Sequence, residues 1–319
     1  MRASAVAQPN IALIKYWGKR DIERNLPAVG SISITLRDLL TEMHVELDSS
    51  LPADTLVLND VVDDAMLPRL SACLDRVVGQ DRARARIVSR CNFPIAAGLA
   101  SSASAFAAIT IAAAQAAGRT LDTAALANLA GRASGSAARS LYGGFVELES
   151  RANDVAVRTL RDGASWPLSV VIAITETGPK PVGSTEAMEI SRKSSPFYSN
   201  WVEKQDEDLK LARVAITKRD FQQLAAVAEH NCLKMHSMMW ASRPPIVFWN
   251  SATMHCMQTV RKLQRAGIGV FFTIDAGPQV KAVCLPEHEE QVQAALVSTD
   301  GVLDVMVTGL GDAARLLDL

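Results

Sequence analysis

Apolar and polar residues alternate in short runs along the first half of the chain, which is typical of half-buried strands. Residues 31–36 form the clearest run, and residues 41–47 are predicted to lie beside them as a second strand. Further strands are predicted at 11–16, 84–91 and 145–149, and helical periodicity is present at 67–78, 104–117 and 120–132. Because strands and helices come in groups rather than in strict alternation, the first half is predicted to be α+β.

The second half has a more regular pattern. Strands are predicted at 168–174, 269–274, 279–285 and 302–307, and helices at 187–192, 201–217, 220–239, 250–265 and 287–296. Without the additional helices the order is β-α-β-β-α-β, the split βαβ arrangement. Asp, Gly, Ser and Pro cluster at 163–167, which indicates a boundary. We therefore predict two domains, 1–166 and 167–319.

Composition excludes several classes of protein. Among 319 residues, 49% are hydrophobic and 21% are charged, and the net charge of −1 predicts neither a nucleic-acid partner nor a membrane surface. Five scattered cysteines favour a reducing cytoplasm. His230 and His236 are six residues apart and would not share a helix face, so a metal site made of protein side chains is not predicted.

Residues 92–106 combine a proline, a glycine and three serines directly before a run of small helix-forming residues. A helix that begins there presents free backbone N–H groups and the positive end of its dipole, which together favour a phosphate group. The segment is not a Walker A loop, because no Gly-Lys-Ser/Thr follows the glycine. An ordinary capped core helix would have a similar composition and stays open as the alternative.

Three other segments carry candidate chemistry. Lys15 interrupts an apolar strand and, with Lys19 and Arg20, forms a cationic cluster suited to a phosphorylated ligand. Arg139 stands among small residues, and Asp275 follows an apolar strand within an Asp-Ala-Gly-Pro turn. Each segment has a simpler reading: a solvated strand end, a structural ion pair and a turn-forming aspartate, respectively.

These segments, 10–20, 94–104, 134–147 and 275–278, occur together and in this order. On these motifs the chain resembles the diphosphomevalonate decarboxylases of the GHMP small-molecule kinase superfamily, over nearly its full length. The resemblance implies a GHMP-kinase-like two-domain α+β fold. Its N-terminal part would be similar to ribosomal protein S5 domain 2, and its C-terminal part would be a ferredoxin-like split βαβ unit.

The resemblance also implies an activity. Such enzymes use ATP and Mg²⁺ to phosphorylate the 3-hydroxyl of mevalonate 5-diphosphate, which then loses phosphate and CO₂ to give isopentenyl diphosphate for isoprenoid biosynthesis. A mevalonate 5-phosphate decarboxylase and a kinase that stops after phosphorylation stay open as alternatives. A non-catalytic ligand-binding relative is disfavoured, because the phosphate loop, Asp275 and Arg139 are all present. We expect a cytoplasmic homodimer with no nucleic-acid partner.

Motif positions imply individual roles. Asp275 would be the catalytic aspartate near the 3-hydroxyl, Arg139 would contact the substrate carboxylate, and Lys15 and Asn10 would complete the catalytic group. The implied substrate-binding residues are Tyr16, Lys19, Ser134, Gly135, Ser136, Ser184, Thr185 and Met188. The implied ATP-binding residues are Pro94, Ala97, Gly98, Leu99, Ala100, Ser101, Ser102 and Ser104.

Overall fold

The computed structural model describes residues 1–93, 100–178 and 180–318. Its strands are β1 (Arg2–Ala7), β2 (Asn10–Ile14), β3 (Lys19–Asp21), β4 (Leu26–Pro27), β5 (Ser31–Thr35), β6 (Thr41–Asp48), β7 (Thr55–Leu58), β8 (Val61–Val62), β9 (Arg84–Cys91), β10 (Phe145–Ser150), β11 (Val155–Arg161), β12 (Ser169–Ile174), β13 (Val270–Ile274), β14 (Val280–Cys284), β15 (Asp304–Gly309) and β16 (Arg315–Leu317). Its α-helices are α1 (Leu67–Val78), α2 (Ser101–Ala116), α3 (Thr123–Ala133), α4 (Ser184–Ser194), α5 (Tyr198–Lys218), α6 (Phe221–Trp240), α7 (Ser251–Arg265) and α8 (Glu289–Val297).

Two sheets make up most of the first half. The larger has the strand order β16-β1-β6-β9-β7-β8, and the smaller has the order β11-β10-β5-β2. Helix α2 lies against β1 and β6. Its alanine-rich sequence has a physical reason, because small side chains let a helix approach a sheet closely while still burying apolar surface. Phe106 and Ile109 of this helix are fully buried in the core beneath the larger sheet.

The predicted pairing of residues 31–36 with residues 41–47 is wrong. Strand β5 is flanked by β2 and β10, and β6 lies between β1 and β9 in the other sheet. Between them Asp38 adopts a left-handed backbone conformation, with φ of 63°, in the turn that takes the chain to the second sheet. Strand β1, which fills the place beside β6, was not expected from the sequence.

The second half confirms the split βαβ prediction. Its sheet has the order β13-β14-β12-β15, and each pair of neighbours is antiparallel. Helices α4 to α7 connect β12 to β13, and α8 connects β14 to β15. The chain then returns to the first half, where Leu317 of β16 pairs with Ser4 of β1. The division at residue 166 stays a prediction. Strand β16 follows that division in sequence but belongs to the larger sheet of the first half.

The two halves meet along β2. This strand packs against α6, and the Thr273 hydroxyl of β13 donates to the Ala12 carbonyl at 3.1 Å. The end of β2 therefore lies beside the turn between β13 and β14, which contains Asp275. Among the helices of the described residues, none is both long enough and apolar enough to span a membrane.

Candidate active site

A cavity of about 800 Å³ is lined by residues from both halves of the chain. Of the residues that the sequence analysis proposed for a site, those that line it are Asn10, Lys15, Tyr16, Lys19, Ala100, Ser101, Ser102, Ser134, Gly135, Ser136, Arg139, Ser184, Thr185, Met188 and Asp275. The structure therefore brings together five segments that are far apart in sequence.

Asp275 is held between two buried lysines. Its Oδ1 accepts a hydrogen bond of 2.7 Å from Lys15 Nζ, and its Oδ2 lies 3.7 Å from Lys281 Nζ. Both lysine side chains are 1% exposed, whereas 25% of the Asp275 side chain is exposed. Lys15 also donates to the Ala12 carbonyl at 2.8 Å. The two lysines thus fix the orientation of the carboxylate, and the exposed part of the Asp275 side chain faces the cavity.

The charges of this cluster decide the protonation state of Asp275. Burial by itself would raise the pKa of its carboxyl, but Lys15, Lys281 and Arg139 outweigh burial and lower that pKa below its ordinary value. Burial lowers the pKa of Lys281 to about 8, with Lys15 and Lys180 acting in the same direction and Asp275 opposing them. Asp275 is therefore ionised at neutral pH and can accept a proton.

Arg139 is fixed by neutral partners. Its Nε donates to Asn10 Oδ1 at 3.1 Å, and its Nη1 donates to the Ser31 hydroxyl at 2.5 Å. Asn10 Nδ2 in turn donates to the Ser140 hydroxyl at 2.7 Å. Burial lowers the pKa of Arg139 to about 10, although Asp275 and Tyr16 favour its charged form. The guanidinium therefore carries a charge that no carboxylate neutralises directly in the described part of the chain, as a site for an anion requires.

Tyr16 approaches the backbone of Gly135. A Cβ atom at Gly135 would lie 2.3 Å from the Tyr16 hydroxyl, so any other residue there would force the Tyr16 ring to move. That hydroxyl is buried and has no hydrogen-bond partner within the described residues. Burial raises its pKa to about 12, so it stays protonated. A buried, unpartnered donor at a cavity wall indicates a place for a polar ligand.

A second group of cations lies along α4. Lys19 Nζ donates to the Thr185 hydroxyl at 3.2 Å, and Lys180 Nζ donates to the Ser184 hydroxyl at 2.9 Å and to the Ala276 carbonyl at 2.8 Å. Burial lowers the pKa of both lysines. Their partners are neutral oxygens, so both ammonium charges remain available to an anion in the cavity.

The start of α2 forms another part of the wall. Ala100 precedes the helix with φ of 54° and ψ of 34°, and no side chain caps the helix among the residues that the structure describes. Ser101 and Ser102 line the cavity. Ser104 does not, since it is buried against Thr41, whose hydroxyl is 2.7 Å away. The predicted positions Pro94, Ala97, Gly98 and Leu99 lie outside the described residues.

Comparison with known proteins identifies the family. Residues 7–157 match the model of the diphosphomevalonate decarboxylase-like N-terminal domain, and residues 170–304 match that of the mevalonate 5-diphosphate decarboxylase C-terminal domain. The diphosphomevalonate decarboxylase of Candida albicans is 33% identical over 92% of this chain and 87% of its own. The chain belongs to the diphosphomevalonate decarboxylase family. The resemblance inferred from the motifs is confirmed.

Solved structures of the family have the same fold. Mevalonate diphosphate decarboxylase from Staphylococcus aureus superposes with a TM-score of 0.94 and 34% identity, covering 99% of this chain and 98% of that chain. A structure of MDDEF in complex with MVAPP, AMPPCP and magnesium gives a TM-score of 0.93 and 30% identity, covering 100% and 99%. The predicted GHMP-kinase-like α+β fold is confirmed.

Two lysines of this decarboxylase-family site were missed in the sequence analysis. Lys281 interrupts the apolar strand β14, the signal that singled out Lys15 within the strand predicted at 11–16, and both side chains are buried. That signal could have identified it. Lys180 precedes α4 in a polar stretch that looks solvent-exposed, so only the structure reveals that it reaches the turn after Asp275.

Proposed function

We propose that this chain catalyses the ATP-dependent decarboxylation of mevalonate 5-diphosphate to isopentenyl diphosphate, ADP, phosphate and CO₂. One observation carries the proposal beyond family membership. The Asp275 carboxylate, ionised by Lys15 and Lys281, faces the same cavity as the start of α2, which no described side chain caps. A proton acceptor and a phosphate-binding element on one cavity are what transfer of a phosphoryl group to an alcohol requires.

The first chemical step is assigned to Asp275. As the 3-hydroxyl oxygen bonds to the γ-phosphorus of ATP, its proton passes to the Asp275 carboxylate, and the bond to the leaving ADP breaks. Lys15 keeps the accepting oxygen in position through its 2.7 Å hydrogen bond. The low pKa of Asp275 keeps the carboxylate in its accepting form before substrate binds.

The second step needs no further electron sink. When the C3–O bond breaks and phosphate leaves, C3 develops positive charge, and the electrons of the bond to the carboxylate carbon form the new double bond as CO₂ departs. Arg139 is proposed to hold that carboxylate before it leaves, because its guanidinium is buried at the cavity wall and fixed by Asn10 and Ser31. Arginine is the side chain best suited to pairing with a carboxylate.

The substrate diphosphate is assigned to the part of the cavity wall that carries Lys19, Lys180 and Tyr16. Lys19 and Lys180 supply ammonium groups there, and Tyr16 supplies a buried hydroxyl without a partner in the described residues. Further neutral groups on this wall are Ser134, Gly135, Ser136, Ser184, Thr185 and Met188. Diphosphate needs several donors at fixed positions, and cationic donors give the stronger hydrogen bonds.

ATP is assigned to the α2 end of the cavity. Its phosphates would meet Ser101, Ser102 and the backbone N–H groups at the start of the helix. The cavity is also lined by the apolar side chains of Met43, Leu56 and Leu70, which suit a purine base. A similar solved structure contains AMPPCP and magnesium, which supports ATP and Mg²⁺ as the required ligands.

The site fits Mg²⁺ through hydroxyl oxygens. This ion is usually bound by one or two protein ligands together with phosphate oxygens and water. Ser101 and Ser102 supply hydroxyls at the phosphate end of the cavity. When bound, Mg²⁺ neutralises charge that develops on the transferred phosphoryl group.

We further propose that the chain forms a cytoplasmic homodimer. We also propose that it consists of two domains that divide at residue 166, with the site between them.

The deciding experiment measures ADP and CO₂ together. Purified protein is incubated with ATP, Mg²⁺ and either mevalonate 5-diphosphate or mevalonate 5-phosphate. Equal amounts of ADP and CO₂ with the diphosphate alone would support the proposal. ADP without CO₂ would replace it with a kinase, and equal products with the monophosphate alone would replace it with a monophosphate decarboxylase.

A further inference from the structure

The backbone of Lys15 is held by side chains rather than by a neighbouring strand. Strand β2 ends at Ile14, one residue earlier. The Lys15 N–H donates to Asn231 Oδ1 at 2.7 Å, and the Lys15 carbonyl accepts from Gln205 Nε2 at 2.7 Å. Asn231 lies on α6 and Gln205 on α5. Two helices therefore fix both polar backbone groups of a residue whose side chain reaches Asp275.

These two amides are themselves fixed. Asn231 Nδ2 donates to Gln205 Oε1 at 2.9 Å and to Asp208 Oδ2 at 2.6 Å. The same Asp208 oxygen pairs with the Lys234 ammonium group. Asn231 and Gln205 are 0% and 1% exposed, so neither amide has solvent as a partner. Each amide therefore has one orientation that satisfies its donors and acceptor, and that orientation serves Lys15.

We propose that Gln205 and Asn231, anchored by Asp208 and Lys234, position the Lys15 ammonium group against Asp275. None of the four is among the described residues that line the cavity, so they act through Lys15 and not on the substrate. They are positioning residues for the phosphoryl transfer in the proposed function, on which this inference rests.

Packing alone does not explain this polar cluster. Helices α5 and α6 also bury apolar residues together, among them Leu209, Ala212 and Ala228. A buried ion pair with its hydrogen-bonded amides adds little net stability over well-packed apolar residues. A cluster that fixes the N–H and carbonyl of one active-site residue has a clear geometric consequence. A displacement of about 1 Å in a reacting group can reduce a rate about 10²-fold.

The test uses Asn231→Leu, which keeps the number and branching of the side-chain heavy atoms but removes the acceptor for the Lys15 N–H and the donors to Gln205 and Asp208. We expect kcat to fall about 10- to 100-fold, while KM for ATP and for the second substrate changes less than about threefold. Gln205→Met removes the donor to the Lys15 carbonyl, and with it the 3.2 Å hydrogen bond to the Gly30 carbonyl. It should likewise lower kcat with little change in KM. The rates are measured with the phosphorylated mevalonate that the unmodified chain turns over. The test therefore remains valid even if the substrate assigned under the proposed function is wrong.

Asn128→Leu is the matched control. Asn128 also bridges both backbone groups of one residue, because it accepts from the Val155 N–H at 2.9 Å and donates to the Val155 carbonyl at 3.1 Å. Val155 begins β11 and does not line the cavity. This variant should lose stability, measured by urea unfolding, while kcat stays unchanged.

A double-mutant cycle with Lys15→Met decides whether the amides act through Lys15. Once the ammonium group is absent, Asn231→Leu should reduce the residual kcat by less than about threefold. Fully multiplicative effects would overturn the proposal, and so would a fall in kcat no larger than that of Asn128→Leu. If neither Asn231→Leu nor Gln205→Met folds, the cluster is structural and the positioning role is rejected.

Discussion

The two ends of the cavity recognise charge by different means. At the α2 end the described groups are backbone N–H groups and the hydroxyls of Ser101 and Ser102, all supplied by one short segment. At the Asp275 end, charged side chains come from distant parts of the chain, and Lys15 and Asp275 are 260 residues apart. One end is local and built mainly on backbone groups, and the other is a long-range cluster of buried charges.

This difference predicts different responses to substitution. Backbone donors survive most changes of side chain, so the α2 end should tolerate single substitutions. At the other end Lys15, Lys281 and Arg139 surround one carboxylate. Removing any member changes the field on all the others, because buried charges are weakly screened. Positive charge exceeds negative charge in this cluster, which suits a substrate that carries a carboxylate and phosphates.

Asp275→Asn should have the largest effect. It keeps the shape of the side chain but removes the proton acceptor and the negative charge between Lys15 and Lys281. We expect turnover to fall roughly 10²- to 10⁴-fold, the usual contribution of a general base. The Kd for ATP should change little because ATP is assigned to the other end. Coupled release of ADP and calorimetric ATP binding measure the two quantities.

The control for this variant is Asp300→Asn, at a side chain that is 92% exposed. It removes a carboxylate without touching the cavity and should leave turnover unchanged. Near-normal turnover in Asp275→Asn would remove this residue from the mechanism. A large loss of ATP affinity would show instead that the two ends of the cavity are not independent.

Gly135→Ala tests how closely the substrate end is packed. Its new Cβ would lie 2.3 Å from the Tyr16 hydroxyl and 2.5 Å from Cζ, so the ring must move. Overpacking of this kind costs about 1–3 kcal/mol. Because the displaced Tyr16 lines the substrate end, we expect that cost to appear as a rise in substrate KM of about 5- to 150-fold. Steady-state kinetics with the phosphorylated mevalonate varied at saturating ATP measure it.

Gly183→Ala is the matched glycine. Gly183 also lines the cavity, but a Cβ there meets nothing within 4 Å, and its φ of −67° suits any residue. We expect less than about a threefold change in KM, since no atom has to move. Equal effects of the two variants would mean that the approach of Tyr16 to Gly135 does not shape the substrate end.

The contrast also explains what the sequence could reveal. The helix after the phosphate-type segment was predicted correctly, because its pattern is contiguous in residues 92–117. The phosphate-binding role of that segment stays a prediction. Lys15 was identified because it interrupts an apolar strand, and Lys281 carries the same signal. Which lysine reaches which carboxylate depends on strand order, and sequence patterns carry no direct information about such long-range pairing.

Strand order was the least predictable part of the fold. Residues 31–36 and 41–47 are separated by a short connection, which normally favours neighbouring strands. The chain instead crosses to the other sheet, where β6 pairs with β1. Strand β16 joins β1 from the opposite end of the sequence. Local alternation identifies a strand and its buried face, but its partner depends on packing between distant segments.

Lys281→Met should shift the pH dependence of turnover. Lys281, Lys15 and Arg139 together lower the pKa of Asp275, so removal of one cation raises that pKa. Turnover falls as pH drops through this pKa, and the acidic limb should therefore move to higher pH. Rates on that limb should be lower than those of the unmodified chain at the same pH. A profile of kcat against pH measures the shift.

Lys262→Met provides the control, since Lys262 lies exposed on α7 and should leave the profile unchanged. An acidic limb in Lys281→Met that coincides with that of the unmodified chain would contradict the role given to the second lysine. A shift to lower pH would also contradict it, because it would mean that Lys281 raises the pKa of Asp275 instead of lowering it.

Ala100→Gly should have the smallest effect, and it tests the α2 end. Ala100 has φ of 54° and ψ of 34°, a left-handed conformation that costs a non-glycine residue about 1–2 kcal/mol. Glycine removes that strain but loses more backbone entropy on folding, by roughly 0.5–1 kcal/mol. We expect a net gain of less than about 1 kcal/mol in the free energy of unfolding, measured with urea.

Ala105→Gly, inside the same helix, is the control, and it should instead lower the free energy of unfolding by about 1 kcal/mol. If both substitutions destabilise the chain equally, Ala100 is not strained, and the backbone at this end of the cavity is not held in the conformation that presents its N–H groups.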